Sequence, residues 1–141
     1  MKTKLLLGMV LSCGAFHFMA QDIKSKDVPQ FVKSAFAKKY PEAIHVSWEK
    51  EKGNYEANWG GKSGEDNSAI FTPGAVFVEI VNAISISALP KDVAPYVKEH
   101  YKTAIKEAGK VTDANGTLTY EAEIKGKDLI FDESGKFLKE D

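Results

Sequence analysis

The sequence predicts an α+β fold: two tandem units, each a helix followed by four strands, joined into one antiparallel sheet with both helices on the same face. Three observations lead there. The chain repeats itself at nearly fixed spacing, each repeat opens on an amphipathic helical stripe, and after each stripe the apolar period changes from 3.6 residues to two.

The repeat is read directly. Laying "VPQFVKSAFAKKYPEAI" (Val28 to Ile44) over "LPKDVAPYVKEHYKTAI" (Leu89 to Ile105) at a shift of 61 pairs Pro29 with Pro90, Val32 with Val93, Tyr40 with Tyr101 and Ile44 with Ile105. Further along, Tyr55-Glu56-Ala57 meets Tyr120-Glu121-Ala122 at a shift of 65, and Phe71 and Phe77 meet Phe131 and Phe137 at 60. The changes of shift predict loop insertions. The repeats span about 25–86 and 87–141.

In the first unit Val28, Phe31, Val32, Ala35, Phe36 and Tyr40 fall on one helical face, with Lys33, Lys38 and Lys39 facing water. Ser25 or Asp27 is positioned to cap that helix, and Pro29 suits its first turn. The second stripe is Leu89, Val93, Tyr96, Val97 and Tyr101; Pro95 inside it predicts a kink or a late start. After the first helix, Ile44, Val46 and Trp48 alternate with His45, Ser47 and Glu49, a "KGN" turn follows, and Tyr55, Ala57 and Trp59 alternate with Glu56 and Asn58. The second unit matches this hairpin with Asn115-Gly116 as the turn and Tyr120, Ala122 and Ile124 opposite Glu121 and Glu123. Two more strands follow in each unit, over Ser68 to Thr72 and Ala75 to Ile86, then Asp128 to Asp132 and Lys136 to Lys139. Burying each stripe against the apolar side of one sheet leaves the other side polar and open.

Composition narrows the function. Net charge is -1, and all 19 basic residues are lysine. Without arginine forks or a basic block, nucleic acid is not an expected partner. Lys2 and Lys4 precede the apolar run "LLLGMVLSCGAFHFMA", which reads as a secretory signal over residues 1–20, cleaved between Ala20 and Gln21. Residues 21–141 then form one domain, periplasmic or secreted, with no membrane span, no cysteine, and 17 lysines against 20 acids. The alternative is a lipoprotein anchored at Cys13, because "VLSC" partly matches a lipidation box.

"VPxxVxxxFxxKYPxA", "VxWExEKGNYEAxW", "LPxxVxxYVxxHY" and "YEAEIKGKDLIFDESGKFL" together resemble the PepSY-like family of Bacteroidetes secreted proteins, also described as beta-lactamase-inhibitor-like. The resemblance covers nearly the whole chain after the signal. It implies a tandem inhibitor-like fold with a curved sheet, and it carries over no catalytic residue.

Candidate sites are few. His45 and His100 lie in no metal or triad spacing, so no metal and no cofactor is expected. Glu56 and Glu121 imitate a glycosidase carboxylate pair, but duplication alone accounts for both, and no enzyme is expected. "GGKSGEDN" (Gly60 to Asn67) lacks nucleotide-loop spacing and reads as a surface insertion or a loop reaching a partner. Trp48, Tyr55, Trp59, Phe71, Phe77, Tyr120, Phe131 and Phe137 read as core. The expected function is a noncatalytic binding or inhibitor-like module whose open face, including Glu56, Asn58, Glu121 and Glu123, meets a protein or peptide of the cell envelope. The alternative is a small-molecule carrier with a pocket between helices and sheet.

Overall fold

The computed structural model describes residues 20–141. Cys13 and nearly all of the expected signal lie outside them. β1 (Gln21–Ile23), α1 (Gln30–Lys39), β2 (Ser47–Glu51), β3 (Asn54–Trp59), β4 (Asn67–Phe71) and β5 (Phe77–Ile84) are followed by α2 (Val93–Tyr101), β6 (Glu107–Asp113), β7 (Leu118–Ile124), β8 (Lys127–Asp132) and β9 (Phe137–Glu140). The nine strands lie side by side in chain order, each antiparallel to the next. α2 interrupts the meander without changing it, since β5 and β6 still pair. β1 is an addition to the two helix-plus-four-strand units and pairs with β2, Ile23 opposite Trp48.

Turn chemistry sets the register. Lys52 and Gly53 both take positive φ (47° and 83°), as a tight hairpin between twisted strands requires. Between β6 and β7, Asp113 Oδ1 accepts the backbone N–H groups of Asn115 and Thr117, both at 2.8 Å. Asp132 Oδ1 does the same between β8 and β9 for Ser134 and Lys136, both at 2.9 Å. A register shift falls between Ile70 and Phe71 in one repeat and between Ile130 and Phe131 in the other. Its recurrence at matching positions shows that the duplication extends to strand irregularities.

Several local expectations are corrected. Ser25 and Asp27 do not cap α1. They form a separate 3-10 turn, and Pro29 occupies the N-cap with no side-chain cap, its carbonyl accepting from Val32 and Lys33. α2 starts late, at Val93, which puts Pro95 in the first turn, where a missing N–H costs no helical bond. No strand begins at Ile44: His45 takes φ 55°, which breaks the extended run, and Ile44 is 69% exposed. Phe31, expected on the buried stripe, is exposed as well. The strand expected over Ala75 to Ile86 is shorter at both ends, because Ala75 has positive φ and Ile86–Ala88 coils into a 3-10 turn.

Both helices pack on one face. Under α1, Val28, Val32 and Phe36 meet Trp48, Ala57, Trp59, Ala69 and Phe71. Phe36 is the hub, with ring centroids 5.1 Å from Trp59, 5.4 Å from Trp48 and 6.2 Å from Phe71, all edge-on. Under α2, Leu89, Val93 and Val97 meet Ala108, Ala122, Ile124, Leu129 and Phe131. Tyr55, Phe77, Tyr120 and Phe137 pack around the edges of these clusters, so the aromatic set is core.

Candidate functional site

The face away from the helices is built by the alternate residues of the same strands. Ala57 and Trp59 point under α1, so Glu56 and Asn58 point out; Ala122 and Ile124 point under α2, so Glu121 and Glu123 point out. Pairing extends this face sideways. Glu56 lies between Glu49 of β2 and Ile70 of β4, and Glu121 lies between Gly109 of β6 and Ile130 of β8.

The sheet curls around this face. β2 and β7 are five strands apart, which in a flat sheet means roughly 24 Å. Yet Glu49 and Glu121 line one trough of about 260 Å³. Farther along the face Lys52 Nζ, in the β2–β3 turn, sits 3.2 Å from Asp141 Oδ1, just beyond β9. A broader concavity of about 740 Å³ continues along the same face. The loop between β3 and β4 closes one end of the trough with Glu65. Asn67 Nδ2 donates to the Trp59 carbonyl at 3.2 Å, and the Asp66 carbonyl accepts from the Ala83 N–H at 2.9 Å, which fixes that loop to the sheet.

Charge on the face is one-sided. The trough is lined by Glu49, Glu56, Glu65, Glu107, Glu121 and Glu123, and among the described residues by no lysine. Burial, with Glu51 and Glu49 close by, pushes the Glu56 carboxyl up to about 8. Glu121 is also pushed up to about 8, by burial first and then by Asp128, Glu79, Glu51 and Glu123. Glu49, Glu79 and Asp128 are raised as well, each chiefly by burial. The broader concavity has an apolar floor of Ile70, Val81, Val111 and Ile130, Val81 being shared with the trough and Val111 6% exposed.

The four residues expected at the open face share it, with one correction. Glu56, Glu121 and Glu123 are partly exposed, whereas Asn58 is buried at 3% exposure, its Oδ1 accepting from Ser68 Oγ. Asn58 therefore braces the trough wall. Sequence reasoning left out Glu49, Glu79, Glu107 and Asp128, although each alternates with an inward neighbour. His45 is exposed in a loop, and His100, in the last turn of α2, packs against Tyr96 with ring centroids 4.1 Å apart and the rings tilted by 31°. Among the described residues, no group of three or more His, Cys, Asp and Glu is arranged to hold a metal ion, and no helix is long and apolar enough to cross a membrane.

A hollow of about 1000 Å³ along the outer flank of α2 is of another kind: Ile86, Pro95 and Ile105 line it, with Lys98, Glu99 and Lys102 around them. It lacks the trough's concentration of like charge.

A curled antiparallel sheet with two helices behind it and a concave polar face in front defines a tandem-repeat α+β protein with one open face. The chain belongs to the family described as "Putative beta-lactamase-inhibitor-like, PepSY-like", whose model matches residues 16–60 and 62–139. Among solved structures it is similar to a "putative periplasmic" protein of Bacteroides eggerthii, with 20% identity over 81% of this chain and 88% of that one and a TM-score of 0.62. A DUF2874 family protein of Bacteroides ovatus matches with 20% identity, coverage of 80% and 86%, and a TM-score of 0.62. A BLIP-like protein of Bacteroides fragilis matches with 24% identity, coverage of 80% and 84%, and a TM-score of 0.55. At these identities the likeness is one of fold. No curated protein matches the chain.

Proposed function

We propose that this protein is a noncatalytic binding module of the periplasm or the secreted space, and that its concave sheet face contacts a protein or peptide partner. The observation that carries this is a sheet with one face closed by both helices and the other left uncovered and concave. The family description, with its inhibitor-like character, and a structural relative described as periplasmic support the same reading. Glu56, Glu121 and Glu123 make the contacts, and Asn58 holds Ser68 in the wall. Release between Ala20 and Gln21 leaves the fold intact, because β1 begins at Gln21.

Site-specific photo-crosslinking in the native envelope tests the proposal. A crosslinker at Ser68 or Thr119, on the concave face, is expected to capture a discrete polypeptide, and one at Lys33 or Lys98, on the helices, is not. Capture only from the helix positions would overturn it. The intact mass of the secreted chain distinguishes an N-terminus at Gln21 from a lipid-modified Cys13.

A further inference from the structure

Near-neutral composition conceals a segregation of charge. The chain carries 19 lysines against 20 acids. The helices carry Lys33, Lys38, Lys39 and Lys98, and among the described residues the charged side chains of the inner trough are all glutamate. In the broader concavity the cations are Lys52 and Lys139, both near the rim and both within 3.2 Å of Asp141. Like charges on adjacent strands repel, and half-burying them adds a desolvation cost. Glu49 faces Glu56 across β2 and β3, and Glu107 faces Glu123 across β6 and β7. A cationic group entering the trough relieves both costs.

The floor adds a second requirement. Ile70, Val81, Val111 and Ile130 form apolar patches between the carboxylates, and Gly109 is packed so closely that a Cβ there would meet Val81 Cγ1 at 2.7 Å. A small polycation satisfies the glutamates but covers no floor. An extended polypeptide presents side chains about 7 Å apart on one face, and so places lysine or arginine and aliphatic groups on the trough together.

We propose that the partner lies along the trough and the broader concavity that continues it with a polypeptide segment in which lysine or arginine is interleaved with aliphatic residues, the cations meeting Glu49, Glu56, Glu107, Glu121 and Glu123 and the aliphatic groups meeting Ile70, Val81, Val111 and Ile130 on the floor of the concavity. This rests on the concave face being the binding surface.

Binding of three labelled synthetic peptides, alternating Lys/Leu, Ser/Leu and Glu/Leu, to the secreted chain tests it by fluorescence anisotropy. At a pH near 9, where Glu56 and Glu121 are ionised and lysine is still charged, the Lys/Leu peptide is expected to bind, to weaken about tenfold or more as ionic strength rises from about 0.05 M to about 0.5 M, and to weaken about tenfold in Glu56→Gln/Glu121→Gln. That double variant keeps the shape and relieves repulsion, so it folds, as a thermal melt verifies. Equal binding of the Ser/Leu or Glu/Leu peptide, lost when Val81→Arg blocks the floor, overturns the charge requirement and leaves the face reading standing. Lys/Leu binding unchanged in the double variant and in Val81→Arg overturns the face reading itself. Spermidine competing as well as the peptide overturns the polypeptide requirement, and failure of the Lys/Leu peptide to bind at low salt overturns the proposal outright.

Discussion

The two repeats share one strand register but fill it differently. By that register Trp48 of the first stands where the second has Ala108, Trp59 where it has Ile124, and Ala69 where it has Leu129. The α1 hub Phe36 corresponds to Val97. The first core is a cluster of edge-packed rings around a small β4 residue; the second buries aliphatic side chains around a large β8 residue, with a separate ring group of Tyr96, Phe131 and Phe137. Bulk is redistributed from β2 and β3 toward β8, so what recurs is a filled interior and not a set of side chains. The outward face differs in charge: Glu56 and Glu121 correspond, but Asn58, Ser68 and Ser47 stand where the second repeat has Glu123, Asp128 and Glu107. At these three positions the first unit has neutral hydrogen-bonding groups and the second has carboxylates, although each unit supplies three of the trough's glutamates.

The sharpest break in this comparison comes from truncating the two hubs. Phe36→Ala removes the ring that touches Trp48, Trp59 and Phe71, and is expected to cost about 3–5 kcal/mol. Val97→Ala, at the matching position, removes only two methyl groups and is expected to cost about 2 kcal/mol. Urea unfolding of both variants measures the difference. Equal losses would mean that the ring cluster is no more than ordinary apolar burial.

The carboxylates give the next largest effect, with a defined direction in pH. Glu56 and Glu121 titrate near 8 in the fold, against an ordinary value of 4.5. The folded protein holds protons that the unfolded chain has already released, so these groups' contribution is full below about 4.5 and is lost as pH rises to about 8, levelling off above that. The melting temperature is expected to fall across this window. Glu56→Gln and Glu121→Gln should each flatten part of the slope and, at a pH near 9, each stabilise by roughly 1–3 kcal/mol, less than the full shift implies because solvent reaches both groups. If either substitution destabilised at that pH, its repeat would lack the stored repulsion assigned to it.

Much of this was legible in the sequence, and the failures have physical reasons. Tyr55-Ala57-Trp59 and Tyr120-Ala122-Ile124 alternate cleanly because one side of each strand faces a helix, which is why the meander and its inward face could be read. β1 is three residues long, too short to show a period. Ile44 and Val46 continue the alternation of β2, but the left-handed backbone of His45 ends the strand before them. Asn58 reads as an exposed polar residue, and its burial depends on Ser68 in another strand. The trough requires β2 and β7 to approach through the accumulated curl of five strand pairs, a property of the whole sheet that no local pattern encodes.

A smaller asymmetry lies where β9 begins. Gly135 has φ 89°, and a Cβ on it would meet Pro90 Cβ at 2.9 Å; at the shift of 60 its counterpart is Ala75, already at φ 64°. Gly135→Ala combines left-handed strain with that clash and is expected to cost about 1–3 kcal/mol. Ala75→Gly relieves strain but loses a methyl packed beside the first core and some unfolded-state restraint, so it should stay within about 1 kcal/mol of neutral. Calorimetric melts of the pair show whether the two β-turns differ through packing or only through backbone.

The smallest stability effect is expected at the contact joining the repeats across the broader concavity. Lys52 and Asp141 are 3.2 Å apart, but their side chains are 50% and 37% exposed, and an ion pair this wet contributes at most about 1 kcal/mol. Lys52→Ala should therefore leave unfolding almost unchanged. It also removes a cation from the broad concavity and frees Asp141 from a partner, so a cationic peptide should bind two- to threefold more tightly at low ionic strength and no differently at high. Lost stability with unchanged binding would make the contact a strut holding the curl of the sheet. Tighter binding at unchanged stability would make Lys52 a charge at the concavity's rim, where attraction and not architecture decides what enters.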